Sequence, residues 1–134
     1  MDIKQTVPVI NQIEEGLKDI PGWSPVDQLY TLFTLSSTTA GLQGDILEIG
    51  SWCGRSAVVL GTAAKFIGCG RVHCVDLFPE KNDWHQNAEG KWWFEVNLGD
   101  KNIAAYKSCY MWDEAYRRDV EPLYRSHNGI LDIF

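Results

Sequence analysis

Two glycines and two carboxylates, set around a pair of short apolar runs, are the residues best placed to do chemistry in this chain. The first run, Asp45-Ile46-Leu47-Glu48-Ile49, gives way to Gly50-Ser51-Trp52-Cys53-Gly54-Arg55-Ser56, and the second, Arg71 to Phe78, carries Asp76 near its end. Glycine at 50 and 54 permits backbone conformations and a close ligand approach that a Cβ would hinder. A helix starting after Gly54 offers unpaired N–H groups that suit a carboxylate. Asp76, ending the neighbouring strand, is placed to accept hydrogen bonds from two vicinal ribose hydroxyls, with Glu48 on the opposite side of the same crevice. Singly, a glycine pair is often just a turn and a strand-end acid just solvated; together they point to a nucleoside site.

The spacing separates this site from other nucleotide loops. A dinucleotide fingerprint needs G-x-G-x-x-G, whereas Gly50-x-x-x-Gly54 lacks the central glycine that lets a pyrophosphate approach. A phosphate-binding loop needs G-x4-G-K-[ST]; here the loop is a residue short and Arg55 replaces the lysine. A nicotinamide oxidoreductase and a nucleotide hydrolase are both disfavoured.

Holding the loop requires a strand before it and a helix after it. Residues 45–49 read as a buried strand, Ser56 to Ile67 as a well-buried helix closed by Gly68-Cys69-Gly70, and Arg71 to Phe78 as a second strand closed by Pro79. Strand, helix and strand make a βαβ unit. Ahead of it, Val9, Ile10, Ile13, Leu17 and Ile20 recur at helical steps over Val7 to Ile20, with Thr6 as cap and Pro8 in the first turn. Ser24-Pro25-Val26-Asp27 starts a second helix that buries Leu29, Tyr30, Leu32, Phe33 and Leu35, and Ser36 to Gly44 reads as a loop. From Glu80 to Tyr110 periodicity fades while aromatic residues accumulate, as in an insertion folded over something. Beyond Met111 helical spacing returns, interrupted by Pro122, and Ile130 to Phe134 makes another helical turn.

Composition narrows the partners. At 134 residues, 45% hydrophobic and 22% charged, the chain suits one soluble domain, and no apolar run approaches the ~20 residues of a membrane span. Its net charge of -6 opposes broad binding to nucleic acid, and small-molecule chemistry is the better expectation. The N-terminal residues carry no secretion signal pattern, so a cytoplasmic location is expected. Cys53, Cys69, Cys74 and Cys109 lack metal-site spacing and read as reduced, mostly buried thiols.

The strand-end pattern E-x-G-x-x-x-G followed by an acid closing the next strand resembles class I S-adenosylmethionine-dependent methyltransferases. Leu47 to Ser56, the Gly22-Trp-Ser-Pro25 helix start and Val75-Asp-Leu-Phe-Pro79 are similar to the bacterial branch with macrocin-type O-methyltransferases and cephalosporin-hydroxylase-like proteins. The resemblance implies a Rossmann-like α/β fold in which residues 1–44 form a helical cap, 45–79 the cofactor-binding βαβ unit, and 80–134 an aromatic-rich insertion and C-terminal helix, all within one truncated domain. It implies that Glu48, Gly50, Ser51 and Gly54 surround the methionine part of S-adenosylmethionine, that Asp76 holds its ribose, and that Leu77 or Phe78 lies against the adenine. Trp52 and Ser56 complete that set, Trp52 either facing the sulfonium with its ring or simply packing. Arg55 is expected to pair with a carboxylate or cap the rim.

Methyl transfer needs little covalent help, because the sulfonium already activates the methyl group. His85 is the one candidate for a catalytic base, its plainer reading being an exposed loop imidazole; His73 reads as structural. Relatives continue into further strands bearing an acidic segment that supplies a metal ligand or base; no such segment precedes Phe134, and no metal ligand set is seen here. The chain is therefore expected to be a shortened form, with an exposed sheet edge covered by self-association into a homo-oligomer. The competing expectation is a non-catalytic module that keeps the cofactor crevice without a complete active site.

Overall fold

The computed structural model describes residues 3–68 and 70–134. Cys69 lies outside the described residues, and with it the expectation of a fourth reduced thiol. The chain divides into two compact units, Met1–Asp76 and Leu77–Phe134.

In the first unit, helices α1 (Ile3–Leu17) and α2 (Val26–Ser37) precede strand β1 (Ile46–Ile49), helix α3 (Arg55–Ile67) and strand β2 (Val72–Val75). The two strands pair in parallel, Ile46 opposite Val72 through Ile49 opposite Val75. This is the expected βαβ unit. Its core is aliphatic: Ile13 and Leu17 from α1, Leu29 and Phe33 from α2, and Val59 and Ala63 from α3 are buried together, with Val9, Tyr30, Leu32, Val58 and Phe66 packed around them. Removing each of the larger side chains from water contributes about 1.5–3 kcal/mol.

Four local expectations change. Helix α1 runs Ile3–Leu17 with Pro8 inside it, and the expected Thr6 cap falls on a side chain outside the described ones. A proline at this position forfeits one ladder hydrogen bond, and its ring disfavours helical geometry in the residue before it. Helix α2 continues to Ser37 and passes into a 3₁₀ turn over Thr38–Gly41, where a loop was expected. The Thr38 and Thr39 hydroxyls donate to the Leu35 and Ser36 carbonyls, at 2.6 and 2.7 Å, and hold that extension. Leu35, expected inside, is 60% exposed because it turns away from the α2–α3 contact. Strand β1, expected to be buried, covers only one face: Leu47 and Ile49 are 64% and 79% exposed, as is Val75 of β2 at 52%. An apolar run of this length does not by itself say how many of its faces are covered.

The aromatic-rich stretch of the second unit carries regular structure where periodicity fades. Strands β3 (Trp84–Gln86), β4 (Trp92–Asn97) and β5 (Asn102–Ala105) form an antiparallel sheet in that order. Asn87 shapes the first turn: its side-chain oxygen accepts the N–H groups of Glu89 and Lys91, at 3.0 and 2.9 Å, while Gly90 takes φ 77°. Asn97 does the same for the second, accepting the Gly99 N–H at 2.7 Å with Gly99 at φ 91°. The core here is aromatic. Trp84 meets Phe94 and Tyr116 at centroid distances of 4.9 and 5.1 Å, and Trp92 stacks on Tyr116 at 3.8 Å. Tyr116 comes from helix α4 (Asp113–Asp119), which is followed by 3₁₀ turns at Glu121–Arg125, with Pro122 in its first turn, and Ile130–Asp132.

Candidate functional site

The loop between β1 and α3 is built by backbone geometry that its residue types permit. The Gly50 N–H extends the ladder to the Val75 carbonyl at 2.8 Å, and the chain then leaves the sheet with Gly50 at φ 85°. A Cβ at Gly50 would meet no protein atom within 4 Å, so the space beside this backbone is open. Gly54, at φ 89°, is the residue from which α3 starts, and its carbonyl receives the Val58 N–H at 3.0 Å. Both glycines therefore occupy a region that other residues adopt with strain.

Trp52 adopts that region without being glycine, at φ 49°. Such a residue costs about 1–3 kcal/mol and persists where the surroundings over-determine it. Here they do. The Trp52 N–H donates to Asp76 Oδ2 at 2.8 Å, and its ring stacks on Trp23 at 5.3 Å. Asp76 thus fastens the loop to the end of β2. The Trp52 ring packs against Trp23, a partner that motif spacing does not reveal.

Among the described residues Arg55 is in no ion pair with a carboxylate. Its guanidinium donates to the carbonyls of Ser24, Leu17 and Ile20, at 3.2, 3.2 and 2.8 Å. It satisfies orphan carbonyls at the end of α1 with a positive charge, where the helix dipole favours one. The loop, α1 and the entry to α2 are held by one side chain.

Glu48 and Ser51 are buried, at 9% and 2% exposure. Glu48 stands opposite Cys74 in the strand register, so Cys74 shares the covered face with it. Glu48 Oε2 and Ser51 Oγ face the Cys74 thiol, yet neither makes a hydrogen bond of normal geometry. Burial pushes that thiol's pKa up; the Ser51 hydroxyl acts next and lowers it, and the Glu48 carboxylate raises it again, leaving it above the ordinary value. Cys53 is pushed up to about 11, by burial and then by the charge of Asp76, and so stays protonated at neutral pH. Neither thiol is an activated nucleophile. Period-two alternation along β2 places Cys74 with Asp76 on the face of Glu48, a signal that could have identified it.

Ser56 lies in the first turn of α3. Leu77 and Phe78 open the second unit, where the Phe78 ring meets Phe134 edge-on at 5.2 Å. His85 is on β3, exposed, its ring 4.7 Å from that of Trp93, and it has no ion-pair partner among the described residues. His73 Nε2 lies 2.8 Å from Asp45 Oδ2, which makes it a tie between the two strands. His127 Nδ1 contacts the Leu123 carbonyl at 3.2 Å and the Ser126 hydroxyl at 3.1 Å. Among the described residues no group of three or more His, Cys, Asp and Glu side chains is arranged for a metal ion, and no helix is long and apolar enough to cross a membrane.

A search of curated proteins returns no match. A family model described as a methyltransferase domain matches residues 47–126, a span that begins in β1 and takes in the glycine loop, Asp76 and the antiparallel sheet. Because the match covers more than half of the 134 residues, the chain belongs to this methyltransferase domain family.

Proposed function

We propose that this chain provides the S-adenosylmethionine-binding part of a Rossmann-like methyltransferase, of the macrocin-type and cephalosporin-hydroxylase-like branch, acting by O-methyl transfer on a small or sugar-containing metabolite. The observation that carries the reading is the pair of buried polar atoms, Glu48 Oε2 and Ser51 Oγ, that flank Gly50 in the chain and make no hydrogen bond of normal geometry, together with the open space at Gly50 itself. A buried polar atom without a partner costs about 1–3 kcal/mol, and a bound polar ligand removes that cost. The residues present fit such a ligand.

When bound, S-adenosylmethionine supplies an electrophilic methyl group on a sulfonium. Glu48, Gly50, Ser51 and Gly54 would then bind the methionine part, with Ser56 and the start of α3 turning N–H groups toward its carboxylate. Asp76 would accept the ribose hydroxyls while keeping Trp52 in place, and Leu77 or Phe78 would lie against the adenine. Trp52 supports the loop through its packing. Alignment and exclusion of water carry most of the rate on this reading, and no catalytic base is assigned, His85 being only a candidate. Free thiols at Cys53, Cys74 and Cys109 suit a cytoplasmic setting.

Thermal denaturation with S-adenosylmethionine, S-adenosylhomocysteine, NAD and ATP tests this. A ligand at 100 times its dissociation constant adds about 2.7 kcal/mol, and only the two adenosyl-sulfur ligands are expected to do so. Stabilisation by NAD or ATP alone would overturn the assignment.

The bare face of Leu47, Ile49 and Val75 supports a second reading, that the chain self-associates and acts as a non-catalytic module. Light scattering separates the two: a homo-oligomer that no adenosyl-sulfur ligand stabilises favours the module.

A further inference from the structure

Within the second unit, a cavity of about 660 Å³ opens on Lys81, Asn82, Tyr116, Glu121 and Arg125. The size is that of a small-molecule pocket. Its aromatic lining is closed to stacking: Trp84, Tyr116 and Tyr124 are each 6% exposed, and Tyr116 is covered by the rings of Trp92 and Trp84. Recognition therefore falls to polar atoms, and most of those on the rings are engaged. Trp84 Nε1 donates to the Tyr124 hydroxyl at 2.9 Å, Tyr124 donates to the Pro79 carbonyl at 2.9 Å, and Trp92 Nε1 donates to Asp113 Oδ1 at 2.7 Å. The Tyr116 hydroxyl is the exception. It has no hydrogen-bond partner among the described residues, and unlike Ser51 Oγ it is not sealed from solvent, so a side chain buried along its ring opens at its one polar atom. Burial, and after it the charge of Glu121, push its pKa above the ordinary 10, which keeps the hydroxyl a donor at neutral pH.

Glu121 is the one carboxylate on the lining, and among the described residues it neither bonds to Tyr116 nor pairs with a cation. A ligand hydroxyl satisfies both groups at once, accepting from the phenol and donating to the carboxylate. Lys81 and Arg125 line the same cavity and are in no ion pair among the described residues, whereas Lys91, Arg117 and Arg118 of the same unit each pair with a carboxylate. Two free cations suit an anionic oxygen pair. The turns that carry these groups are braced. The Glu80 N–H donates to Asp83 Oδ2 at 2.7 Å, the Lys81 N–H to the Asn128 carbonyl at 3.1 Å, and the Tyr124 bond to Pro79 ties the turn of Glu121 and Arg125 to that of Lys81. Such a frame lowers the ordering cost of binding.

We propose that this cavity binds a small hydroxylated carboxylate, with its carboxylate on Lys81 and Arg125 and a hydroxyl between the Tyr116 phenol and the Glu121 carboxylate. The assignment goes beyond methyl transfer and does not depend on it.

The test is calorimetric titration of the full chain with quinate, a saturated ring carrying one carboxylate and several hydroxyls, with no adenosyl ligand present. Saturable binding is expected. Cyclohexanecarboxylate, which lacks the hydroxyls, and myo-inositol, which lacks the charge, should each bind about tenfold more weakly or worse. Tyr116→Phe keeps the packed ring and removes only the unpartnered hydroxyl, so it should weaken quinate about tenfold while leaving the midpoint of thermal unfolding unchanged. Lys81→Met and Arg125→Met, both at exposed positions, should each weaken quinate about tenfold with an unaltered circular dichroism spectrum. No saturable binding, equal affinity for either analogue, undiminished binding in Tyr116→Phe, or indifference to both cation substitutions would each overturn the proposal. A lowered unfolding midpoint in Tyr116→Phe would overturn it as well, by showing that the hydroxyl already serves the core. Because the cofactor takes no part, none of these outcomes bears on the crevice at Gly50.

Discussion

The two units of this chain solve the burial of their interiors in opposite ways. The first packs aliphatic side chains between helices, Ile13, Leu17 and Leu29 against Val59 and Ala63, and leaves buried polar atoms without a hydrogen-bond partner on Ser37, Glu48 and Ser51. The second packs tryptophan and tyrosine around a small sheet and satisfies polar tips internally, Trp84 on Tyr124 and Trp92 on Asp113. The contrast separates an interior that leaves polar atoms for a partner from one whose rings close on themselves. Buried polar atoms without a partner suit a ligand that hydrogen-bonds, whereas rings stacked on one another with their indole N–H groups bonded form a closed core.

Substitutions can sharpen or break that contrast. The largest effect is expected from Ile13→Ala, fully buried in the aliphatic cluster, which should cost about 2–5 kcal/mol in urea denaturation through lost burial and a residual cavity. A loss below 1 kcal/mol would mean, as an order of magnitude, that the helices do not form the described core. Trp84→Phe replaces the buried indole by a smaller phenyl ring and removes one hydrogen bond, so about 1–3 kcal/mol is expected by the same method from the lost bond and the residual cavity together. No loss would show that neither the indole nor its polar tip holds the aromatic unit.

Acid acts on the second unit through Asp113, whose carboxyl is held below the ordinary 3.8 by the Trp92 N–H and then by Arg117. A depressed folded pKa contributes stability that is fully present above the unfolded value and lost as pH falls through the folded one. Tryptophan emission should therefore shift as pH falls below 3.8, and Asp113→Asn should remove that component. An identical acid profile in the variant would separate Trp92 from Asp113. The smallest effect is chemical: at neutral pH a thiol reagent should label exposed Cys109 quickly and buried Cys53 slowly, as mass spectrometry of the labelled peptides would report. Rapid labelling at Cys53 would contradict a closed glycine loop.

The first unit was largely legible in the sequence because its positions answer to local rules. Glycines at 50, 54 and 68 take left-handed backbone conformations, and apolar residues at three- and four-residue steps mark both helices. Asp76 was legible as a strand-end acid, but its bond to the Trp52 N–H was not, since it joins residues far apart in the chain. Arg55 shows the same limit: its partners are backbone carbonyls, which carry no residue signature. In the second unit the strands are short, and Trp92 and Trp93 place large rings on both faces of one strand, which hides the alternation that marks a half-buried strand. Only the turns at Asn87 to Gly90 and Asn97 to Asp100 announce it. That Leu47 and Ile49 lie bare could not be read either, because burial of a strand's second face depends on what packs there.

The account turns on the glycine loop as an adenosyl-ligand site, and isothermal titration of S-adenosylhomocysteine tests it most directly. Wild type should give saturable binding at one site per chain. Gly50→Val, which puts a branched Cβ into the open space at φ 85°, should abolish that heat while the far-ultraviolet spectrum persists. Absence of binding by wild type, or undiminished affinity in Gly50→Val, would contradict the account.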